Sequence, residues 1–402
     1  MTTEFEITKQ NNNSELINPD KRSFLKNSAA LSSMLLLAGV GGTSNQAFAH
    51  QPPKQPTPQA LRNAHGKIVG HGDFRYKVNY FWGDLDPAKV PVESCHGLAF
   101  DSKGRIVMVT DNGVNNFIIY DKSGKLIDAW GTQFPGAHSV KVVNENGEDF
   151  IYIVDCGWVL NRHWDGKGRK GKMRKQTGFV AKLTIEGRLI YTIGHPQTIG
   201  VYTPEEDFNP TDVAIAPNGD LYITDGYGSD RVLQYDNNGR YIRHWGGREN
   251  NNSSYNLKNT HGIGVDLRNP ADPHLIVSSR AANELKLFGM DGSYRSTLQT
   301  PGAFVGGPIF KGDYAYIPVC WSVVDGKRRA NSGFITVLDK NNKVVSNPGG
   351  TEPIYKNGKL QPMHTTWDVF NHCHAVCVDD EENLYVGQWN ANETYPIKLE
   401  RI

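Results

Sequence analysis

An all-β chain built from six copies of one small sheet is predicted by three observations. The first is the stretch Phe208–Gly247, where four short runs rich in Val, Ile, Leu and Tyr (Asp212–Ala216, Asp220–Thr224, Arg231–Tyr235 and Tyr241–Trp245) alternate with turn chemistry. Pro217-Asn218-Gly219, Gly226-Tyr227-Gly228-Ser229 and Asn237-Asn238-Gly239 supply the turns, the pattern of a four-stranded antiparallel meander. The second is that this unit recurs, since one meander cannot bury both of its faces alone. The third is that the last copy stops after three strands, while Tyr76–Gly83 near the other end closes with the same aromatic-Trp-Gly cadence as Leu126–Gly131 and Tyr241–Gly246. An amino-terminal strand that completes the last sheet closes a ring and leaves no open edge, so a six-bladed β-propeller is expected.

Taken in order, residues 1–49 are a targeting leader. Lys21-Arg22-Ser23-Phe24-Leu25-Lys26 precedes a modest apolar run, Ala29 to Val40, and a small-x-small site at Ala47-Phe48-Ala49. The run is too short for a stable membrane span. The long polar start and the basic pair resemble a twin-arginine export signal, with Lys21 in place of the first Arg; an ordinary secretory signal is the alternative. Either places the mature protein in the periplasm or outside the cell, and the first implies a passing partnership with the twin-arginine translocation machinery. Residues 50–65 are Pro- and Gln-rich and read as a linker, and the propeller is expected over 66–402.

Within that domain Ser94–Gly131 is the first blade. Gly136–His195 is the second, with an insertion after Asp155-Cys156, and Phe208–Gly247 is the third. Asn259–Arg295, the weaker copy Gly306–Ser346 and the truncated Phe370–Ile402 complete the count. The composition fits a large globular domain: 402 residues, 38% hydrophobic, 42 Gly and a net charge of +1 from 43 basic and 42 acidic residues. Mean hydropathy is −0.50. Neither figure supports wholesale nucleic-acid binding or a membrane protein, so the charge that matters is local.

Aligned on their first strands, the blades place His96, His138, Thr211, His261, Gly307 and His374 at equivalent positions around the central channel. His138, His261 and His374 fall on blades 2, 4 and 6, a three-fold arrangement that would hold a metal with one position open, as catalytic zinc sites do. His96 is an additional ligand, an outer support or a channel-lining residue, and His372 shares that ambiguity. His163, His195, His244 and His364 follow no pattern and are expected at the surface.

The loops between second and third strands should share one mouth with these histidines. They carry Asp111-Asn112, Cys156-Gly157-Trp158, Gly226-Tyr227-Gly228, Ser279-Arg280, Cys320-Trp321 and Gln388-Trp389. Trp158, Trp321 and Trp389 suit a ligand that stacks, or blade-to-blade packing. The insertion Trp158–Thr177 carries seven basic residues against one acid, Asp165, a field that would draw an anion or a merely solvated loop. Five cysteines in an exported chain allow two disulfides. Cys95 and Cys373 precede equivalent histidines on neighbouring blades, and a bridge, free buried thiols and sulfur ligands all remain open; Cys377 is expected in the core.

The blade pattern, with its Thr224-Asp225-Gly226-Tyr227 and Arg231-Val232-x-x-Tyr235 run, resembles NHL repeats, and the order of units resembles the peptidyl-α-hydroxyglycine α-amidating lyase family. That resemblance covers most of residues 70–402. It implies a zinc-dependent lyase whose metal histidines lie on the first strands, with Tyr227 at the catalytic tyrosine and Arg280 at one of the substrate arginines. Three departures stand against it. The family's blade-1 arginine has no counterpart near Thr110-Asp111-Asn112, His372 replaces a methionine, and Ala375 replaces a calcium ligand. Zinc is therefore expected and calcium is not, and the substrate is a small or anionic molecule. An acidic saccharide and a non-catalytic propeller that binds a ligand or protein partner are the competing readings.

Overall fold

Each repeat folds as its turn residues dictate. In the computed structural model, which describes residues 62–160, 173–366, 369–391 and 393–402, the third unit forms strands Asp212–Ile215, Leu221–Thr224, Arg231–Tyr235 and Tyr241–Gly246, paired in chain order. Val213 faces Ile223 and Ile223 faces Leu233, so the apolar sets of adjacent strands coincide on each face. The first, second and fourth units repeat this four-stranded order. The fifth departs from it. Its first strand is split into Ala303–Val305 and Ile309–Lys311 around Gly306-Gly307, and its second, Tyr314–Val324, runs on beyond the sheet.

The sixth sheet closes the ring as the missing fourth strand required. Cys373–Val378, Leu384–Gln388 and Ile397–Arg401 are joined by Phe74–Asn79, with Val78 opposite Leu399 and Tyr76 opposite Arg401. A further strand, Ile68–His71, lies outside it. The Phe74–Asn79 strand thus starts before Tyr76 and stops short of the Trp82-Gly83 ending whose cadence marked it. Trp82 leaves the sheet and packs between blades 6 and 1, its ring centroid 4.7 Å from Tyr385 and 5.3 Å from Tyr120. The leader 1–49 and the linker up to residue 61 lie outside the described residues. Among the described residues no helix is long and apolar enough to cross a membrane.

Apolar clusters fill the gaps between consecutive blades. Val107, Val109 and Phe117 of blade 1 meet Ile151, Ile153 and Ala181 of blade 2. Ile106, Met108 and Tyr120 meet Cys377 and Tyr385 across the closing gap. Second strands such as Ile106–Thr110 and Leu221–Thr224 are buried along their whole length because a blade lies on either side. With roughly 1.5–3 kcal/mol per fully buried large apolar side chain, these wedges dominate the stability of the ring. The recurring Trp-Gly ending has a specific use here. Trp245 lies so close to Gly292 in the next blade that a Cβ there would come within 2.7 Å of the indole, and Trp130 stands in the same relation to Gly187.

Candidate metal centre and mouth

Four blades interrupt their inner ladder at one place. Pairing between first and second strands skips between Cys95 and Gly97, Ala137 and Ser139, Thr260 and Ile263, and Cys373 and Ala375. The residues left unpaired include His96, His138, His261 and His374, and a bulge of this kind re-aims a side chain that the pleat would otherwise direct into the sheet. All four imidazoles are buried, and they meet on the channel axis. The ring centroids of His138, His261 and His374 form a nearly equilateral triangle with sides of 4.7, 4.8 and 4.9 Å. His96 lies 4.9 Å from His374 and 5.2 Å from His138.

Acceptors behind the rings fix their tautomers. His138 Nδ1 donates to the Thr211 carbonyl at 2.6 Å and His374 Nδ1 to the His96 carbonyl at 2.8 Å, which leaves a lone pair on each Nε2. His96 is turned the other way: Nε2 donates to Asp111 Oδ2 at 3.1 Å, and Nδ1 is buried with no partner. One ligand atom each from His96, His138 and His374 lies within 4.8 Å of the others. Burial, reinforced by the neighbouring cationic or imidazole groups, holds His138, His261 and His374 well below the usual histidine range, so these rings are neutral and able to ligate. Neutral, buried, tautomer-fixed imidazoles with an orphan nitrogen among them fit a transition-metal ion.

Tyr227 covers one side of this cluster. Its hydroxyl lies 3.1 Å from His138 Nε2 and 3.2 Å from His261 Nε2, and receives a hydrogen bond from Arg280 Nη2 at 3.2 Å. The loop can lie this low because Gly226 rests on the Thr260 carbonyl, where a Cβ would come within 1.5 Å. Burial pushes the phenol up to about 12, against the pull of the Arg280 guanidinium. Arg280 is itself buried, and its Nε donates to Asn259 Oδ1 at 2.5 Å.

The mouth residues divide into two groups. Trp321 and Trp389 pack together at 5.6 Å with His372 against both, at 5.4 and 5.6 Å. His372 adopts a left-handed backbone, φ 63°, donates from Nδ1 to the Trp389 carbonyl at 3.0 Å and accepts the Asn331 amide on Nε2 at 3.2 Å. Both ring nitrogens are occupied, so His372 props the tryptophans and offers no ligand to the channel. Trp158 is half-buried at the start of a hairpin, Trp158–Leu160 with Met173–Lys175, that opens the insertion; its basic run falls mainly on residues 161–172, outside the described residues. The cysteine expectations resolve to free thiols: all five are buried and unbridged, and Cys95 Sγ donates to the Thr394 carbonyl at 3.3 Å. His195, expected as a plain surface residue, caps a 3-10 turn through Gln197 N and donates from Nε2 to the Glu206 carbonyl at 2.8 Å.

Asp111, Asn259, Phe304 and Arg328 were not legible as site residues. Asp111 had a signal, because Thr110-Asp111 repeats Thr224-Asp225. In blades 1, 2 and 3 this aspartate accepts the backbone N–H two residues before the channel position: Asp111 from Ser94 at 2.9 Å, Asp155 from Gly136 at 3.0 Å, Asp225 from Asn209 at 2.7 Å. Only Asp111 of these turns its other oxygen onto a histidine.

No known protein-family profile matches the chain. Solved structures with a similar fold include a gluconolactonase of Xanthomonas campestris, at TM-score 0.50 and 13% identity over 85% of this chain and 92% of that one. A streptogramin B lyase matches at TM-score 0.47 and 13% identity, covering 84% and 99%. The virginiamycin B lyase of Staphylococcus aureus matches at 0.46 and 12%, covering 83% and 98%. The first of these agrees with the propeller architecture.

Proposed function

We propose that the protein is an exported metal-dependent lyase acting on a small anionic substrate at the channel mouth. The observation that carries this reading is the triangle of His138, His261 and His374 with the Tyr227 hydroxyl set against it. These three histidines hold the metal, with His96 as an additional ligand on its free Nδ1. Zinc suits imidazole donors and is the ion proposed, although copper and iron also accept them. When bound, the ion supplies Lewis-acid polarisation of a substrate oxygen. The protein's own groups do the rest. Ligation through Nε2 would release the Tyr227 hydroxyl from these imidazoles, so its oxygen is placed beside the site to take up or return the proton of a substrate hydroxyl. Arg280, buried and held by Asn259, anchors a carboxylate or developing oxyanion. The channel floor holds its own cation, Lys141 Nζ at 3.2 Å from the buried Asp212 carboxylate, which favours one metal per chain and no calcium.

Elemental analysis of the purified mature protein tests this directly. The parent should carry about one zinc per chain at neutral pH. His261→Ala should lose it while remaining folded, and His244→Ala, altering an exposed ring outside the channel, should keep it. A metal-free parent, or full occupancy in His261→Ala, would move the protein to the non-catalytic, ligand-binding class.

A further inference from the structure

The second strand of blade 5 continues past its sheet and turns back on itself. Val323 pairs with Arg328 and Val324 with Lys327, and the two residues between, Asp325 and Gly326, have φ of 50° and 72°, the tight turn that keeps a two-residue hairpin rigid. This hairpin carries Arg328 over the aromatic side of the mouth. Its guanidinium carbon lies 5.0 Å from the Trp321 ring centroid and 5.3 Å from that of Phe304. Arg280 approaches the same Phe304 ring at 4.6 Å. Two guanidiniums thus share one buried phenyl ring, and among the described residues neither makes an ion pair with a carboxylate. Arg280 in particular is 5% exposed, and a buried cation with no counter-charge is costly unless a ligand supplies one. Beside them Trp321 and Trp389, propped by His372, present half-buried indoles.

We infer that this blade 5–6 side of the mouth is a subsite for an organic oxyanion on a flat body, a carboxylate or phosphate attached to a planar group, with Arg328 as its specificity-determining cation. Stacking on the guanidiniums and indoles holds the body, and the forked N–H groups of Arg280 and Arg328 take the oxyanion. The blade-1 loop at Thr110-Asp111-Asn112 has no arginine, and this hairpin supplies a second guanidinium to the mouth from blade 5 instead. The inference rests on the proposed function only for the location of the mouth, since anion capture does not require the metal.

Titration of the mature protein with benzoate, phenyl phosphate and benzyl alcohol, followed by tryptophan fluorescence and calorimetry, tests it with the protein both metal-loaded and chelator-treated. Saturable binding of at least one of the two anions, and none of the neutral alcohol, is expected in both states; which anion binds tighter distinguishes carboxylate from phosphate. Arg328→Gln should weaken that binding by about tenfold or more, and Arg328→Lys should recover only part of it, because a point charge neither stacks nor forks. Arg328 is exposed, so an unchanged melting temperature separates this loss from misfolding. Anion binding unaffected by Arg328→Gln, equal binding of the alcohol, or no saturable binding of either anion overturns the subsite. A metal-free protein that still binds the anion through Arg328 would instead remove the lyase reading and leave the subsite standing.

Discussion

Blades 1, 2, 4 and 6 place a histidine at the channel position, whereas blades 3 and 5 place Thr211 and Gly307 there, and the two sets do different work. The histidine blades supply donors. The other two supply the support that lets those donors converge. The Thr211 carbonyl fixes His138, and its hydroxyl donates to the Thr260 carbonyl at 2.7 Å, tying blade 3 to the strand that carries His261. Gly307 lies flat against Gly262, so close that a Cβ on Gly262 would stand 2.1 Å from the Gly307 Cα. A repeat used six times over has become asymmetric at one position, and the asymmetry makes room for a site that six identical histidines would overfill.

The largest test of that division is Gly262→Val. The new side chain has only backbone to displace, so the variant should lose about 3 kcal/mol or more of stability in urea unfolding; a parent-like midpoint would mean that blade 5 gives way freely and is no fixed support. Next comes Asp111→Asn, which keeps shape and removes the charge behind His96. Metal affinity should fall by about 10–100-fold with the melting temperature nearly unchanged, and an unaltered affinity would make His96 a bystander. Thr211→Val is milder. It leaves the carbonyl on His138 in place but strips the hydroxyl from Thr260, so about 1 kcal/mol of stability should go while metal content stays, and loss of metal would show that the support acts on the site itself.

The smallest effect is on pH dependence. Because His138, His261 and His374 titrate below their ordinary value of 6.5 in the folded protein, the unfolded chain binds more protons in that range. Stability of the chelator-treated protein should therefore be full above pH 6.5 and decline steadily as pH falls below it. A His138→Ala protein should show a shallower decline, and an identical slope would remove these rings as its cause.

Much of this was legible in the chain. Turn residues and strand periodicity are local signals, so Asn237-Asn238-Gly239 or the Trp245-Gly246 ending could be read without knowing any partner, and alignment of the units on their first strands carried the channel position from blade to blade. Tyr227 and Arg280 lie in loops after second strands, and the resemblance to the amidating lyase family singled them out there. Asp111 was read only as a loop residue. Its staple role is repeated in the sequence, but the second hydrogen bond to His96 depends on the irregular register between Cys95 and Gly97, which strand periodicity does not reveal. His372 was left open for a related reason: two residues from His374 suggests the same face of a strand, yet its left-handed backbone places it outside the strand altogether.

The sequence by itself determined the number of blades, the closure by the amino-terminal strand and the identity of the residues at the channel, because each depends on short-range pattern or on counting. The tertiary structure alone decided that Nδ1 of His138 and His374 is held by a carbonyl while Nδ1 of His96 is left without a partner, that the five thiols stay unbridged, and that Arg328 of blade 5 meets Arg280 of blade 4 over Phe304. Those outcomes depend on distances between residues far apart in the chain, fixed only once six wedges of apolar side chains have closed the ring, and no local propensity encodes them.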